Sequence, residues 1–362
     1  MQAIEAAPRA RPVGRAPAAE SGPPARARFT WRFWVGACAV VLAAMAWRAW
    51  QRYPTGVFDF YPLYYGGVAW LHTGNAYDLS AVIPPGARDF QLYQIGNVYP
   101  FPAVLATLPL SLFPAQLAGT LWVGLLTAGL LVTLRLNGWP AWYLLYLPLL
   151  EGLRIEQYTV FVLVCQLLAV WAYRQRRPWL LAVCCALILT KPNQGFIFVL
   201  ALALLARNWR QLLVACGALW GGALLLYPRW VADWVPMLAN SHNTMHQPFY
   251  WQIALLALPL LALGDVIGGA LVLQFLLLPF PGSYAASALP MIAIEDRRSL
   301  WLMPLSFCWP LAALTTGQAW ATALTLVLPV VALAVWRRRG EFAGWRVGRF
   351  ARWKVKGSEC RR

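Results

Sequence analysis

The sequence predicts an all-α, polytopic transmembrane bundle of about 10–12 helices, and three observations carry that expectation. The chain is 60% hydrophobic and only 12% charged, whereas a soluble domain carries about 25% charged residues. Its mean hydropathy is +0.55. Runs such as "FWVGACAVVLAAMAW", "LWVGLLTAGLLVTL" and "ATALTLVLPVVALAVW" are long enough to be spans or parts of spans. These runs do not alternate apolar with polar residues, as strands of a transmembrane barrel would.

The formal charge of +17 invites a nucleic-acid reading, and its distribution argues against one. Arginines gather in the N-terminal tail, in "RQRRP", "RNWR" and "EDRRS", and from Arg337 onward, each at the end of an apolar run. That is the positive-inside pattern of cytoplasmic loops. Of seven cysteines, six lie inside apolar runs, and none has metal-ligand or disulfide spacing.

With the basic clusters placed inside, the chain divides into three parts. Residues 1–28, rich in Ala, Pro and Arg, form a disordered basic cytoplasmic tail. Residues 29–338 form the transmembrane domain, and 339–362 a second basic cytoplasmic tail. The first span, near 31–49, runs outward, and external loops cover about 50–98 and 228–250. The proline-broken "YPFPAVLATLPLSLFP" lies at the interface; spans near 116–135, 139–153 and 157–173 follow. Residues 179–206 have basic flanks at both ends yet cover only about 42 Å as helix. The expected solution is a hairpin of short helices broken at "TKPNQG". A span near 211–227 and several short segments complete the route, with two more near 300–316 and 318–336.

This route gathers polar residues on the outer face. Asp59, in "FDFYPLYYGGVAWLHTGNAYD", follows the first span; Pro62 suits a first helical turn with Tyr61 as cap, which leaves the Asp59 carboxylate unspent. A carboxylate there can take a proton from an attacking hydroxyl. Lys191, beside the helix break, suits an anionic head group such as a lipid phosphate, with snorkelling to the interface as the alternative. Glu151, Arg154 and, roughly, Gln157 or Tyr158 share a helical face. Arg154 either pairs with Glu151 or Glu156, or meets substrate. The tyrosines of "YPLYYGG" serve as interfacial belt or as stacking surface for a sugar. His242 and His246 are spaced i, i+4 without a nearby third ligand, so no metal site is expected. There is no P-loop, dinucleotide-binding glycine pattern, H-E-x-x-H or Asp-x-Asp pair.

The ordered motifs resemble glycosyltransferase family 87. They are Asp59 with Tyr64 and Tyr65, Gly74 with Tyr77 and Asp78, Tyr99 to Pro102, Glu156 with Gln157, and Lys191 with Pro192. The likeness covers about residues 30–230. It implies a GT-C fold and a hexosyltransferase, typified by polyprenol-phosphate-mannose-dependent mannosyltransferases. The donor would be a lipid-linked sugar, the acceptor a lipid or glycan, and the site would face the exterior of the plasma membrane, with both termini cytoplasmic. It further implies Asp59 as catalytic base, and Lys191 and Arg154 as donor-phosphate ligands. Tyr64, Tyr65, Tyr99, Glu156, Gln157 and Tyr284 would bind substrate, with no metal or other cofactor. Three departures stand out: Glu156 replaces a family glycine, Phe101 splits a proline pair, and Ala285 stands where a polar group is expected. The alternatives are a transporter or flippase of a lipid-linked substrate, and a catalytically inactive relative acting as a membrane subunit.

Overall fold

A computed structural model describes residues 59–83, 97–244, 251–277, 283–294 and 297–342, with a few positions between 36 and 51. Most of the expected first span, both distal tails and His246 lie outside the described residues. Among the described residues every regular element is helical, as the composition predicts.

Helix α1 (Tyr61–Thr73) has Phe60 as N-cap, with no side-chain cap bond. The helix therefore begins one residue earlier than Pro62 suggested, and Asp59 is still not spent as a cap. Helix α2 (Phe101–Thr107) runs on into a 3₁₀ turn, Leu108–Leu112. The two glycines of "YYGG" explain how that segment packs so closely on α1. A Cβ at Gly66 would sit 2.4 Å from Asn97 Nδ2, and one at Gly67 would sit 2.1 Å from Ser111 Oγ. Ser111 uses this approach to donate to the Tyr64 carbonyl (3.0 Å).

Helix α3 (Ala115–Leu136) has 22 residues, about 33 Å of helix, which matches a bilayer core of about 30 Å. A 3₁₀ turn (Ala141–Leu145) and α4 (Leu147–Arg154) then lead through the turn at Ile155–Gln157 into α5 (Tyr158–Arg174). The hairpin expected at 179–206 forms as α6 (Pro178–Ile188) and α7 (Pro192–Ala206). At about 16 and 22 Å neither arm spans a bilayer alone. Asn208 Nδ2 donates to the Pro178 carbonyl (3.3 Å), closing the open end among Arg174, Arg176, Arg177 and Arg207. Lys191 stands at the opposite, closed end.

Among the described residues, helix α8 (Trp209–Leu226) is the second helix long and apolar enough to cross a membrane, and α9 (Trp230–Thr244) follows it. Shorter apolar helices α10 (Trp251–Ala262) and α11 (Val266–Leu277) precede α12 (Arg298–Ser306) and α13 (Trp309–Thr316), a pair bent by 54°. Helix α14 (Gln318–Arg338) is the third full-length candidate span among the described residues, and the bent pair makes a fourth when taken as one. The exterior is apolar: Leu225 is 85% exposed and Leu314 86%. Contiguous bare leucine is tolerable only against lipid or a partner, so exposure and helix length agree on a membrane protein.

Candidate functional site

The site forms where four chain segments converge: the start of α1, the Asn97–Pro100 segment, the α4–α5 turn and the closed end of the hairpin. Asp59 is fixed through its backbone, whose N–H donates to the Ile155 carbonyl (2.9 Å). Next to it, the Phe60 ring stacks on Trp122 of α3 with centroids 5.1 Å apart. Trp122 Nε1 in turn donates to the Glu156 carbonyl (3.2 Å). One aromatic pair thus ties the loop, α3 and the α4–α5 turn together.

Lys191 is held by two acceptors from the start of α5. Its Nζ donates to Gln157 Oε1 (3.1 Å) and Thr159 Oγ1 (2.9 Å), and lies 5.3 Å from the Tyr99 ring centroid. Thr190, one residue earlier, shares a 2.9 Å hydrogen bond with the Tyr158 hydroxyl. Its hydrogen-bond partners are neutral, and among the described residues Asp59 is the carboxylate whose charge acts on it. Burial raises the Asp59 carboxyl above its usual range, and Lys191 acts in the opposite sense. Raising a carboxylate's pKa makes it a stronger base.

Tyr99 is positioned from two sides. Its N–H donates to Asn97 Oδ1 (3.1 Å) and its carbonyl accepts from the Tyr77 hydroxyl (3.2 Å). Its buried phenol resists ionisation because of desolvation and then the nearby Asp59 charge. Tyr284 enters from the 3₁₀ turn Ser283–Ala286. It is hydrogen-bonded to Gln157 and feels the charges of both Asp59 and Glu151. Tyr284 packs against α4 at Gly152, where a Cβ would make ordinary contact with Tyr284 Cβ (3.7 Å) but would crowd Val160 Cγ2 of α5 (2.8 Å).

Five of the residues singled out from sequence therefore meet: Asp59, Tyr99, Gln157, Lys191 and Tyr284. The others lie differently. Arg154 is exposed and makes no ion pair with Glu151 or Glu156 among the described residues. Tyr64 and Tyr65 are buried in an aromatic cluster with Phe60 and Tyr61, and the Tyr64 hydroxyl donates to the Phe113 carbonyl (2.8 Å). Ala285 lies beside Gln166, Gln194 and Gln274. Sequence reasoning left Ser283 out: its hydroxyl donates to Glu151 Oε2. Among the described residues no group of three His, Cys, Asp or Glu could hold a metal ion.

Glu156 departs most from its neighbours. Its φ is +55°, a left-handed conformation that glycine adopts freely and other residues adopt at a cost of about 1–2 kcal/mol. The carboxyl is buried against Gly119 of α3, and among the described residues neither oxygen has a hydrogen-bond partner. Burial pushes it up to about 8 from 4.5. A raised folded-state pKa means its stabilising contribution is complete below the unfolded value and lost as pH rises through about 8. Glu156→Gln is expected to flatten the decline in melting temperature between pH 4.5 and about 8, the window set by the unfolded and folded values. Glu156→Gly is expected to raise stability by about 1 kcal/mol or more by relieving the backbone. Thermal unfolding in detergent across pH checks both.

An all-helical membrane bundle with a carboxylate, an ammonium and two tyrosines converging beside a helix break defines a membrane protein with a polar, largely buried candidate site. Comparison with known families makes it specific. The model of glycosyltransferase family 87 matches residues 97–352. The chain belongs to that family and is a membrane glycosyltransferase. The match runs through the C-terminal half, further than the likeness legible from motifs, and begins after the Asp59 loop. No match was found among curated proteins or among solved structures.

Proposed function

We propose that the protein transfers a hexose, mannose by family analogy, from a polyprenyl-phosphate donor to a lipid or glycan acceptor at the outer face of the plasma membrane. The observation that carries this reading is that Asp59 and Lys191 lie close enough to feel each other's charge, with the ammonium held by Gln157 and Thr159. In the proposed reaction the acceptor hydroxyl attacks the anomeric carbon and its proton passes to the Asp59 carboxylate. The bond between the anomeric carbon and the phosphate oxygen breaks, and its electron pair leaves with the polyprenyl phosphate. Lys191, held by Gln157 and Thr159, faces the developing negative charge on that phosphate. Tyr99 and Tyr284 offer ring faces and hydroxyls to the sugar. A fixed ammonium supplies the charge that a divalent metal supplies elsewhere, so the transfer is proposed to be metal-independent. The closed hairpin end lies opposite the arginine-rich end, which supports an outward-facing site under the positive-inside rule.

The test uses purified protein in lipid nanodiscs with radiolabelled polyprenyl-phosphate-mannose and a membrane-lipid extract. Label transfer that persists in excess EDTA is the expected result. Donor binding without transfer to any acceptor would favour a transporter or an inactive relative. Transfer abolished by EDTA and restored by a divalent ion would overturn the metal-independent reaction.

A further inference from the structure

The proposed reaction leaves one carboxylate of the site without a role. Glu151 sits on α4 one helical turn before Ile155, the residue whose carbonyl anchors Asp59. The buried Ser283 hydroxyl, 1% exposed, is committed to Glu151 Oε2. Among the described residues this is the only hydrogen bond of the Glu151 side chain, which remains partly exposed and keeps Oε1 available. The Tyr284 phenol lies within the field of both Glu151 and Asp59, and Tyr284 packs against α4 beside Gly152. The site therefore has a phosphate-binding side at Lys191, a base at Asp59 and a second, rigidly held carboxylate on the Tyr284 side.

We propose that Glu151, seated by Ser283, binds hydroxyl groups of a sugar ring in this site, with the Tyr284 ring beside it. The inference rests on the transferase reading above. A carboxylate oxygen accepts hydrogen bonds from neighbouring hydroxyls, and a serine donor on the other oxygen fixes which way the free one points. Neither a phosphate nor a polyprenyl chain would be drawn to a carboxylate, which repels the first and has nothing to bond in the second. The sugar is either the donor hexose or a saccharide acceptor; the chemistry of recognition is the same.

The experiment compares the intact chain with Glu151→Gln and Ser283→Ala in nanodiscs. It measures binding of polyprenyl-phosphate-mannose and of the same polyprenyl phosphate without sugar, together with the acceptor KM. Loss of a charge-assisted hydrogen bond weakens binding roughly tenfold or more. If Glu151 holds the donor hexose, Glu151→Gln weakens binding of the mannosylated lipid by that factor and leaves the bare phosphate unchanged. If it holds an acceptor saccharide, donor binding is unchanged and the acceptor KM rises by the same factor. Ser283→Ala gives a smaller shift in the same parameter, as a positioning residue should. Equal weakening for the sugar-bearing and bare lipids, or no change in any parameter in a variant with normal melting temperature, overturns the proposal. An intact chain that binds neither lipid overturns the polyprenyl-phosphate donor of the reading above, and this proposal with it.

Discussion

Replacing Asp59 by Asn is expected to lower the transfer rate by about 10²–10⁴ while leaving donor binding near its normal value. Asparagine keeps the shape of the side chain and cannot take the acceptor's proton. The backbone bond from residue 59 to the Ile155 carbonyl and the stack of Phe60 on Trp122 do not depend on the carboxylate. The variant should therefore fold, and single-turnover transfer should separate chemistry from binding. The pH profile gives a second check. The base must be ionised, so kcat/KM falls as pH drops through the Asp59 pKa. Burial places that limb above the ordinary aspartate value of 3.8. Neutralising Lys191 removes the effect that opposes burial, so a Lys191 variant with residual activity should show the limb moved further upward.

The second large effect belongs to Lys191 itself. Lys191→Met preserves length and apolar stem and removes the charge. Loss of one electrostatic partner of a developing charge costs about 10²–10³ in rate, and here ground-state binding of the phosphate should weaken as well. Both kcat and donor affinity should fall, in contrast with Asp59→Asn. Lys191→Arg is expected to restore only part of the loss, because a planar fork does not fit the acceptors arranged by Gln157 and Thr159 around a single ammonium. Donor titrations and initial rates on the same preparations distinguish the two patterns.

Much of this arrangement was legible in the sequence because charges are expensive in an apolar chain. Lys191 announced itself as an isolated ammonium beside Pro192, and its basic flanks fixed a hairpin too short to be two full spans. Asp59 stood out for the same reason. What was not legible depended on backbone direction and on distant contacts. Glu156 and Gln157 are adjacent and both polar, yet only Gln157 meets Lys191; the left-handed φ at 156 sends that side chain toward Gly119 instead. Ser283 lies 132 residues from Glu151, and a lone serine carries no pattern that would suggest the contact. Tyr64 and Tyr65 share a motif with Asp59, but i, i+5 and i, i+6 spacing along a helix start places them in the packed interior beneath it.

The central claim is that Lys191 and Asp59 face each other across the bond that is broken. It is tested most directly by an electron cryo-microscopy structure of the inactive Asp59→Asn protein with a polyprenyl-phosphate hexose bound. The expected density places the phosphate within hydrogen-bond distance of Lys191 Nζ and the anomeric carbon facing residue 59, between Tyr99 and Tyr284. A donor phosphate bound elsewhere, with residues 59 and 191 remote from the sugar, would contradict it.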